Sequence, residues 1–289
     1  MGRMTFVPDS AALSERKLAF LGTGSMNGAV LRGIIASGYD PQAITATLRS
    51  DDKAEALRAE TGVTVLIGAQ DPEANLKAVQ DADIVFLGVK PVGITALCDE
   101  IKDALKPTAV IVSVAAAITI TMMAEHLNPG QPVVRSMPNT PLKVGAGAVG
   151  VSAGESVSAD ALEAVVQLFA GSGVVHVVPE SQQDAVSAIS GSGPAYVFYL
   201  AEAMAAAGVE LGLEPALATD LARATVAGAG KMLSDAQADP SALRRGVTSP
   251  NGTTERAIAT FDETNLSQII ARGAAAAAAR AAAITKELA

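Results

Sequence analysis

The sequence predicts two domains: an α/β domain built on a mostly parallel, doubly wound sheet over residues 17–179, then an all-α domain over residues 180–289. Three observations carry this. Short apolar runs alternate with amphipathic helical patterns from Leu18 to Val178. Beyond Pro179 no strand-like run is evident. The first apolar run, Leu18–Leu21, stops at Gly22-Thr23-Gly24 and gives way at once to a helical pattern. A chain of 289 residues has room for both domains.

Residues 1–16 precede the first strand and read as a tail. The first strand, Leu18–Leu21, ends at Gly22, which permits a sharp turn. Gly24 lets the backbone approach a ligand. A helix starts near Ser25, with Met26, Val30, Ile34 and Ile35 on one face. Strand, glycine turn and helix N-terminus together make a pyrophosphate cradle, so a dinucleotide is the expected ligand. The G-x-G-x-x-G pattern wants a small residue at position 27, where Asn27 stands, with Gly28 one step later. An ordinary strand-to-helix turn is the plainer alternative.

Ile44–Leu48 is the second strand and ends in Arg49 and Ser50. At this strand end an acidic residue suits the 2′-hydroxyl of NAD and an arginine suits the 2′-phosphate of NADP. Arg49 and Ser50 favour NADP(H); Asp51 and Asp52 keep NAD(H) open. A helix over 52–60, a strand over 63–66 and a helical segment over 72–80 carrying Asn75 follow. Asp83–Val89 is a buried strand running into Lys90 and Pro91. Pro91 opens the next helix. Lys90 faces the crevice at the strand's carboxyl end, or is simply a surface lysine. The strand Ala109–Val114 runs into Ala115, Ala116 and Ala117, side chains small enough to admit a flat ligand and equally suited to filling a core. Pro132–Met137 is the next strand, followed by the rigid Pro138-Asn139-Thr140-Pro141. A strand over 145–151, a helix over 158–169 and a strand over 173–178 complete about eight strands.

In the second domain a long apolar helix, 184–208, is interrupted by Ser190-Gly191-Ser192-Gly193-Pro194, which should kink or break it. Helices follow at 214–234, 240–245, 253–262 and 263–288. The last carries Ala274–Ala279 and Ala281–Ala283; its thin surface fits an intersubunit contact or a close-packed core. Between two of these helices lies Thr248-Ser249-Pro250-Asn251-Gly252-Thr253-Thr254-Glu255. Gly252 can cap the helix, with Glu255 three residues on. Hydroxyls and free N–H groups at a helix N-terminus make either a site for a small carboxylate or a well-capped helix start.

Composition narrows the function. Hydrophobic residues are 49% and charged residues 18%, so a large core is available and disorder is not expected. Aromatic residues are 3%, so Ala and Val must fill much of the interior. A net charge of −9 argues against nucleic acid as a partner. No apolar run reaches the roughly 18 residues of a membrane span, and the N-terminus lacks a signal-peptide core. The one cysteine, Cys98, cannot pair internally and fits a reducing cytoplasm. His126, near a helix end where it can cap carbonyls, and His176, within a strand, read as structural. No Cys/His cluster suggests a metal. No strong base suited to alcohol oxidation is apparent. An imine differs, because its nitrogen can carry a proton before hydride arrives; the inventory therefore points toward C=N reduction.

With these residues assembled, the chain resembles the pyrroline-5-carboxylate reductase family over about residues 17–287. The most specific parts are Val89-Lys90-Pro91, Arg135-Ser136-Met137-Pro138-Asn139-Thr140-Pro141, Ser190-Gly191-Ser192-Gly193-Pro194-Ala195-Tyr196 and Thr248–Thr254. The resemblance implies NAD(P)H-dependent reduction of 1-pyrroline-5-carboxylate to L-proline, the last step of proline synthesis. It implies a Rossmann-like N-terminal domain and a helical domain that interlocks with a partner subunit, in a homodimer or a ring of dimers. It places Leu21, Gly22, Thr23, Gly24, Ser25 and Met26 on the pyrophosphate, and Arg49 and Ser50 on the 2′-phosphate. Asn75, Val89, Lys90, Pro91, Ala115 and Ala116 would line the cofactor. Ser249, Gly252, Thr253 and Thr254 would hold the substrate, with the Thr254 hydroxyl facing the imine nitrogen. Three departures stand out: Asn27 for a small residue, Ala117 for glycine, and Asn251 for the first glycine of a Ser-Pro-Gly-Gly loop. Asparagine tolerates positive φ better than most residues, so the last loop is expected to keep its shape. Two rival functions are a reductase of another small cyclic imine or 2-keto acid, and a non-catalytic NADP-binding regulator.

Overall fold

The computed structural model describes residues 13–289. The tail expected over residues 1–16 lies, up to residue 12, outside them. By its internal contacts the chain divides into two compact units. One holds the residues up to Gly191 together with Ala278–Ala289, the other Ser192–Ala277.

The first unit is built on eight strands: β1 (Leu18–Leu21), β2 (Ile44–Leu48), β3 (Thr64–Ile67), β4 (Ile84–Leu87), β5 (Val110–Ser113), β6 (Val133–Met137), β7 (Gly147–Ala153) and β8 (Gly173–Val177). They form one sheet in the order β3-β2-β1-β4-β5-β6-β7-β8. All neighbours run parallel except β6 and β7, which pair antiparallel. The expected mostly parallel, doubly wound sheet is therefore present. Alternation along β1 divides the interior. Leu18 and Phe20 join one buried cluster with Val30, Ile34 and Val112, while Ala19 and Leu21 join the other with Val85, Ile94 and Cys98. Three of the six phenylalanines form one cluster, Phe20 stacked on Phe86 at 4.5 Å and Phe86 edge-on to Phe169 at 5.8 Å.

The helices of this unit are α1 (Ser25–Ala36), α2 (Asp51–Thr61), α3 (Ala74–Val79), α4 (Ile94–Ile101), α5 (Ile120–Ala124), α6 (Ala159–Ala170) and α7 (Gln183–Val186). Several boundaries differ from the sequence expectation for identifiable reasons. The strand expected from Gly145 begins at Gly147, because Gly145 sits at φ +70 and closes a 3₁₀ turn over Thr140–Val144. His126 does not cap carbonyls; its Nδ1 lies 2.6 Å from the Asp99 carboxylate.

A π-turn over Ser187–Gly191 follows α7, where the Gly-Ser-rich interruption was expected. Residues of the 135–141 motif hold it and the segment that leads into it. The Arg135 guanidinium pairs with Glu180 at 3.3 Å and Asp184 at 3.6 Å. Asn139 Nδ2 donates to the Ser190 carbonyl, while Asn139 Oδ1 accepts from the Ala148 N–H. Gly191 packs so closely on Met137 that a Cβ there would lie 2.4 Å from its methyl.

The second unit contains α8 (Gly193–Glu210), α9 (Pro215–Leu233), α10 (Pro240–Gly246), α11 (Thr253–Glu263) and most of α12 (Leu266–Leu288). Carboxylate side chains start two of these: Glu214 accepts from the N–H groups of Ala216 and Leu217, and Asp239 from that of Ser241. Asn265, at φ +58, separates α11 from α12. Helices α8 and α9 cross closely where Gly208 meets Ala218. Only Ala218 and Ala222 are buried in these five helices, while Phe198, Tyr199, Leu200, Leu211 and Ile270 stay exposed. An apolar surface of this extent marks an interface.

Candidate active site

The first candidate region is the carboxyl edge of the sheet where β1 lies between β2 and β4. Connections leave in opposite directions there, which opens a crevice for ligands. Leu21 is level with Leu87 and Leu87 with Ser113, so the loops after β1, β4 and β5 emerge side by side. Those loops carry Gly22–Met26, Val89–Pro91 and Ala115–Ala116.

Gly22 sits at φ +69, and a Cβ there would meet Val89 Cγ1 at 2.6 Å. Both the backbone angle and the space require glycine. Its N–H donates to Thr47 Oγ1 at 3.2 Å. Thr23 is buried and donates from Oγ1 to the Phe20 carbonyl. A Cβ at Gly24 would meet nothing closer than 3.9 Å, so the surface over it is open. Gly24 caps α1 without a side-chain acceptor, and no acidic residue occupies the first turn. The helix dipole and the leading N–H groups are therefore free for an anion.

Arg49 and Ser50 are exposed at the end of β2, one strand away. Arg49 has no hydrogen-bond or ion-pair partner among the described residues. Asp51 accepts from Gln70 Nε2 at 2.7 Å, which orients its carboxylate. Arg49 thus offers an unpaired cation at the end of β2, as a phosphate on the ribose needs. Asn75 accepts from Thr47 Oγ1 at 2.8 Å and donates to Glu100 at 3.0 Å. Gly22, Thr47, Asn75 and Glu100 form one hydrogen-bonded chain. Sequence reasoning missed Thr47: the strand Ile44–Leu48 carries two threonines, and only the structure shows that Thr47 is the buried one.

Lys90 is exposed and precedes a 3₁₀ turn over Pro91–Gly93. Ala115 is buried and Ala116 exposed, so only the second methyl faces outward. Ser136 Oγ donates to the Ser113 carbonyl at 2.7 Å and Ser113 Oγ accepts the Ala115 N–H, which fixes the turn. Ala117 follows at φ +64, in the left-handed region where glycine is at ease.

The second candidate region is the loop before α11. Asn251 lies at φ +59, and Gly252 is the helix cap. A Cβ at Gly252 would be 2.9 Å from the Ser249 carbonyl oxygen, so the turn is tight. Glu255 accepts from the Asn251 N–H at 2.7 Å, one residue before the position a capping box would use. The cap itself therefore gains no side-chain acceptor and its leading N–H groups remain available. Thr248 is engaged with the Arg244 carbonyl. The hydroxyls of Ser249, Thr253 and Thr254 have no partner among the described residues.

Among the described residues no group of three or more His, Cys, Asp or Glu side chains is arranged to hold a metal. Cys98 is fully buried, and burial pushes its thiol up to about 12, which removes it as a nucleophile.

Comparison with known proteins joins these two regions to one family. Residues 180–284 match the family model for pyrroline-5-carboxylate reductase dimerisation, and residues 17–117 match that for coenzyme F420-dependent NADP oxidoreductase. A pyrroline-5-carboxylate reductase of Pseudomonas aeruginosa is 39% identical over 277 residues, covering 96% of this chain and 99% of the relative. That of Corynebacterium melassecola is 42% identical over 266 residues, covering 91% and 96%. The solved pyrroline-5-carboxylate reductase of Coxiella burnetii is 38% identical, with a TM-score of 0.87 over 95% of this chain and 98% of that one. A Plasmodium falciparum pyrroline carboxylate reductase solved with NADP bound is 25% identical, with a TM-score of 0.79 over 94% and 99%. By the extent and evenness of this similarity, the chain belongs to the pyrroline-5-carboxylate reductase family.

Proposed function

We propose that this chain reduces 1-pyrroline-5-carboxylate to L-proline with NADPH, as a homodimer or larger assembly of dimers, in the cytoplasm. The observation that supports it most is the sheet edge. A positive-φ glycine turn, an uncapped helix start and an unpartnered Arg49 fit a pyrophosphate and a 2′-phosphate. Leu21, Gly22, Thr23, Gly24, Ser25 and Met26 would hold the pyrophosphate. Arg49 and Ser50 would hold the 2′-phosphate, and Asn75 would contact the cofactor while it braces Thr47. Val89, Lys90, Pro91, Ala115 and Ala116 would form the wall against the nicotinamide half. NADH, lacking that phosphate, would be the weaker cofactor.

Ser249, Gly252, Thr253 and Thr254 would hold the substrate. The helix start at Thr253 suits the carboxylate, and the Thr254 hydroxyl would hydrogen-bond the imine nitrogen. Bound cofactor supplies the hydride. The chain's own residues orient the two reactants and stabilise charge, so no dedicated strong base is needed. We put the functional boundary at 179/180, a reading supported by the dimerisation match from residue 180, while the compact units divide at Gly191/Ser192. The broad apolar surface on α8 supports assembly through the helical part.

The direct test is NADPH oxidation by purified protein supplied with 1-pyrroline-5-carboxylate, with NADH run in parallel and proline measured as product. Stoichiometric proline, with NADPH preferred, is the expected result. NADPH binding without proline would move the substrate to another cyclic imine or a 2-keto acid. Binding of neither cofactor would overturn the reading of the glycine turn.

A further inference from the structure

We infer that Asn27 and Gly88 are a matched pair that positions the glycine turn, the small residue missing from the helix being supplied instead by the neighbouring strand end. The inference rests on the reading of Leu21–Met26 as the pyrophosphate loop. Asn27 is the third residue of α1 and is fully buried. Its Nδ2 donates to the Leu21 carbonyl at 3.1 Å and the Phe86 carbonyl at 3.2 Å. These two acceptors lie at the ends of β1 and β4, which pair side by side. The Leu21 carbonyl also accepts the Gly88 N–H at 2.9 Å. On the other side of the same peptide plane, the Gly22 N–H donates to Thr47. The Leu21–Gly22 peptide is thus held at both its carbonyl and its N–H, and it is the peptide that launches the turn.

Gly88 makes room for this. A Cβ there would lie 2.3 Å from Asn27 Cγ, 2.4 Å from Nδ2 and 2.5 Å from Cβ. Gly88 is not among the positive-φ glycines, so its backbone angle does not demand glycine; the space does. Asn27 Oδ1 has no partner among the described residues, so the amide is not buried for its own hydrogen-bond balance. Its donor side, aimed at two strand-end carbonyls, is what the arrangement uses. Asn27 and Gly88 are positioning residues: they act on the cofactor through the Leu21–Gly22 peptide.

A double substitution tests this. Gly88→Ala should raise KM for NADPH at least tenfold and change KM for 1-pyrroline-5-carboxylate less than twofold. Adding Asn27→Gly, which removes the Cβ as well as the amide, should remove the collision and return KM for NADPH to within about threefold of the parent, the Gly88 N–H still holding the Leu21 carbonyl. An unchanged KM for NADPH in Gly88→Ala, or no recovery in the double variant, overturns the pair. Should Gly88→Ala alone not fold, recovery of a folded, NADPH-binding protein by the double variant supports the pair, and its failure overturns it. Gly22→Ala separates this from the underlying reading. If that variant keeps the parent's KM for NADPH, the loop is not the pyrophosphate site and the positioning role falls with it. If Gly22→Ala weakens NADPH binding while Gly88→Ala does not, only the pair is refuted.

Discussion

Replacing Arg135 with methionine keeps the apolar stem and removes the fork that ties β6 to α7 and the turn before it, just ahead of the π-turn. The side chain is nearly buried, and its guanidinium faces Glu180 at 3.3 Å and Asp184 at 3.6 Å. At those distances a pair in an effective dielectric of 20 attracts by about 5 kcal/mol. Both carboxylates are about a third exposed, so water screens much of this. The loss should fall between the roughly 3–5 kcal/mol of a broken buried pair and the roughly 0–1 kcal/mol of a surface one, near 2–3 kcal/mol for the cluster. With an unfolding entropy of about 2.1 cal/mol/K per residue over roughly 200 residues, that corresponds to a Tm lower by about 6 °C. Circular dichroism melts at fixed protein concentration would measure it, the concentration being held because association shifts Tm. Arg135→Lys should recover less than half, because one ammonium cannot fork to two carboxylates. Glu180→Gln should cost less than Arg135→Met, since an amide oxygen can still accept the Ile120 N–H that Glu180 holds at 2.8 Å. A fall under about 2 °C for Arg135→Met would mean that Asn139 and Met137 hold the turn and that the ion pairs add nothing.

Three further outcomes are expected. Arg49→Ala should raise KM for NADPH by roughly 10- to 100-fold, the loss of a charge-assisted contact of about 1.5–3 kcal/mol, and leave KM for NADH within about twofold; equal effects on both cofactors would remove Arg49 from the 2′-phosphate. Thr254→Ala should lower kcat by about 10-fold or more, with Thr254→Ser retaining most of it, because a hydroxyl is what the imine nitrogen needs; unchanged kcat and KM would exclude a role for the side chain. Cys98, fully buried with its thiol pushed up to about 12, should resist an aromatic disulfide reagent at pH 8 in the native protein and react once in denaturant; rapid native labelling would contradict the packing around α4.

The fold was legible wherever periodicity alone decides it. Leu18–Leu21 and Ile44–Leu48 are buried strands with the expected limits. The direction of β7 was not legible, because antiparallel pairing with β6 is a tertiary choice that leaves no mark on a short apolar run. Nor was the Arg135 cluster: its partners lie 45 and 49 residues away, and nothing local to the arginine names them. Element boundaries moved where one residue took a left-handed angle: the start of β7 at Gly145 and the start of α12 at Asn265. The candidate site was legible through residue types with few uses: glycines at a strand end, an arginine one strand over, hydroxyls before a helix. Its supports were less so. Thr47, Asn75 and Glu100 come from a strand and two helices, and only the folded sheet puts them in one chain of hydrogen bonds.

Asn251, Asn27 and Ala117 stand where the resemblance leads one to expect small residues, and the structure shows a different situation at each. At Asn251 the backbone is at φ +59, and asparagine is among the few side chains that visit this region readily. The glycine's conformational role survives the substitution. At Asn27 the requirement is for space, and the structure moves the vacancy across the strand to Gly88. At Ala117 neither solution operates. The residue is at φ +64, alanine has no polar side chain to stabilise that angle, and its methyl is buried. A left-handed alanine costs roughly 1–2 kcal/mol, and such strain persists only where surrounding contacts over-determine the backbone. The strand tip leading to it is fixed: Ser113 Oγ holds the Ala115 N–H, and Ser136 holds the Ser113 carbonyl. Just before it Ala116 is exposed, on the same sheet edge as Gly22 and Val89. All three departures fall beside loops that carry candidate ligand contacts and none falls in the strands, where a change of size would have to be absorbed by a close-packed core.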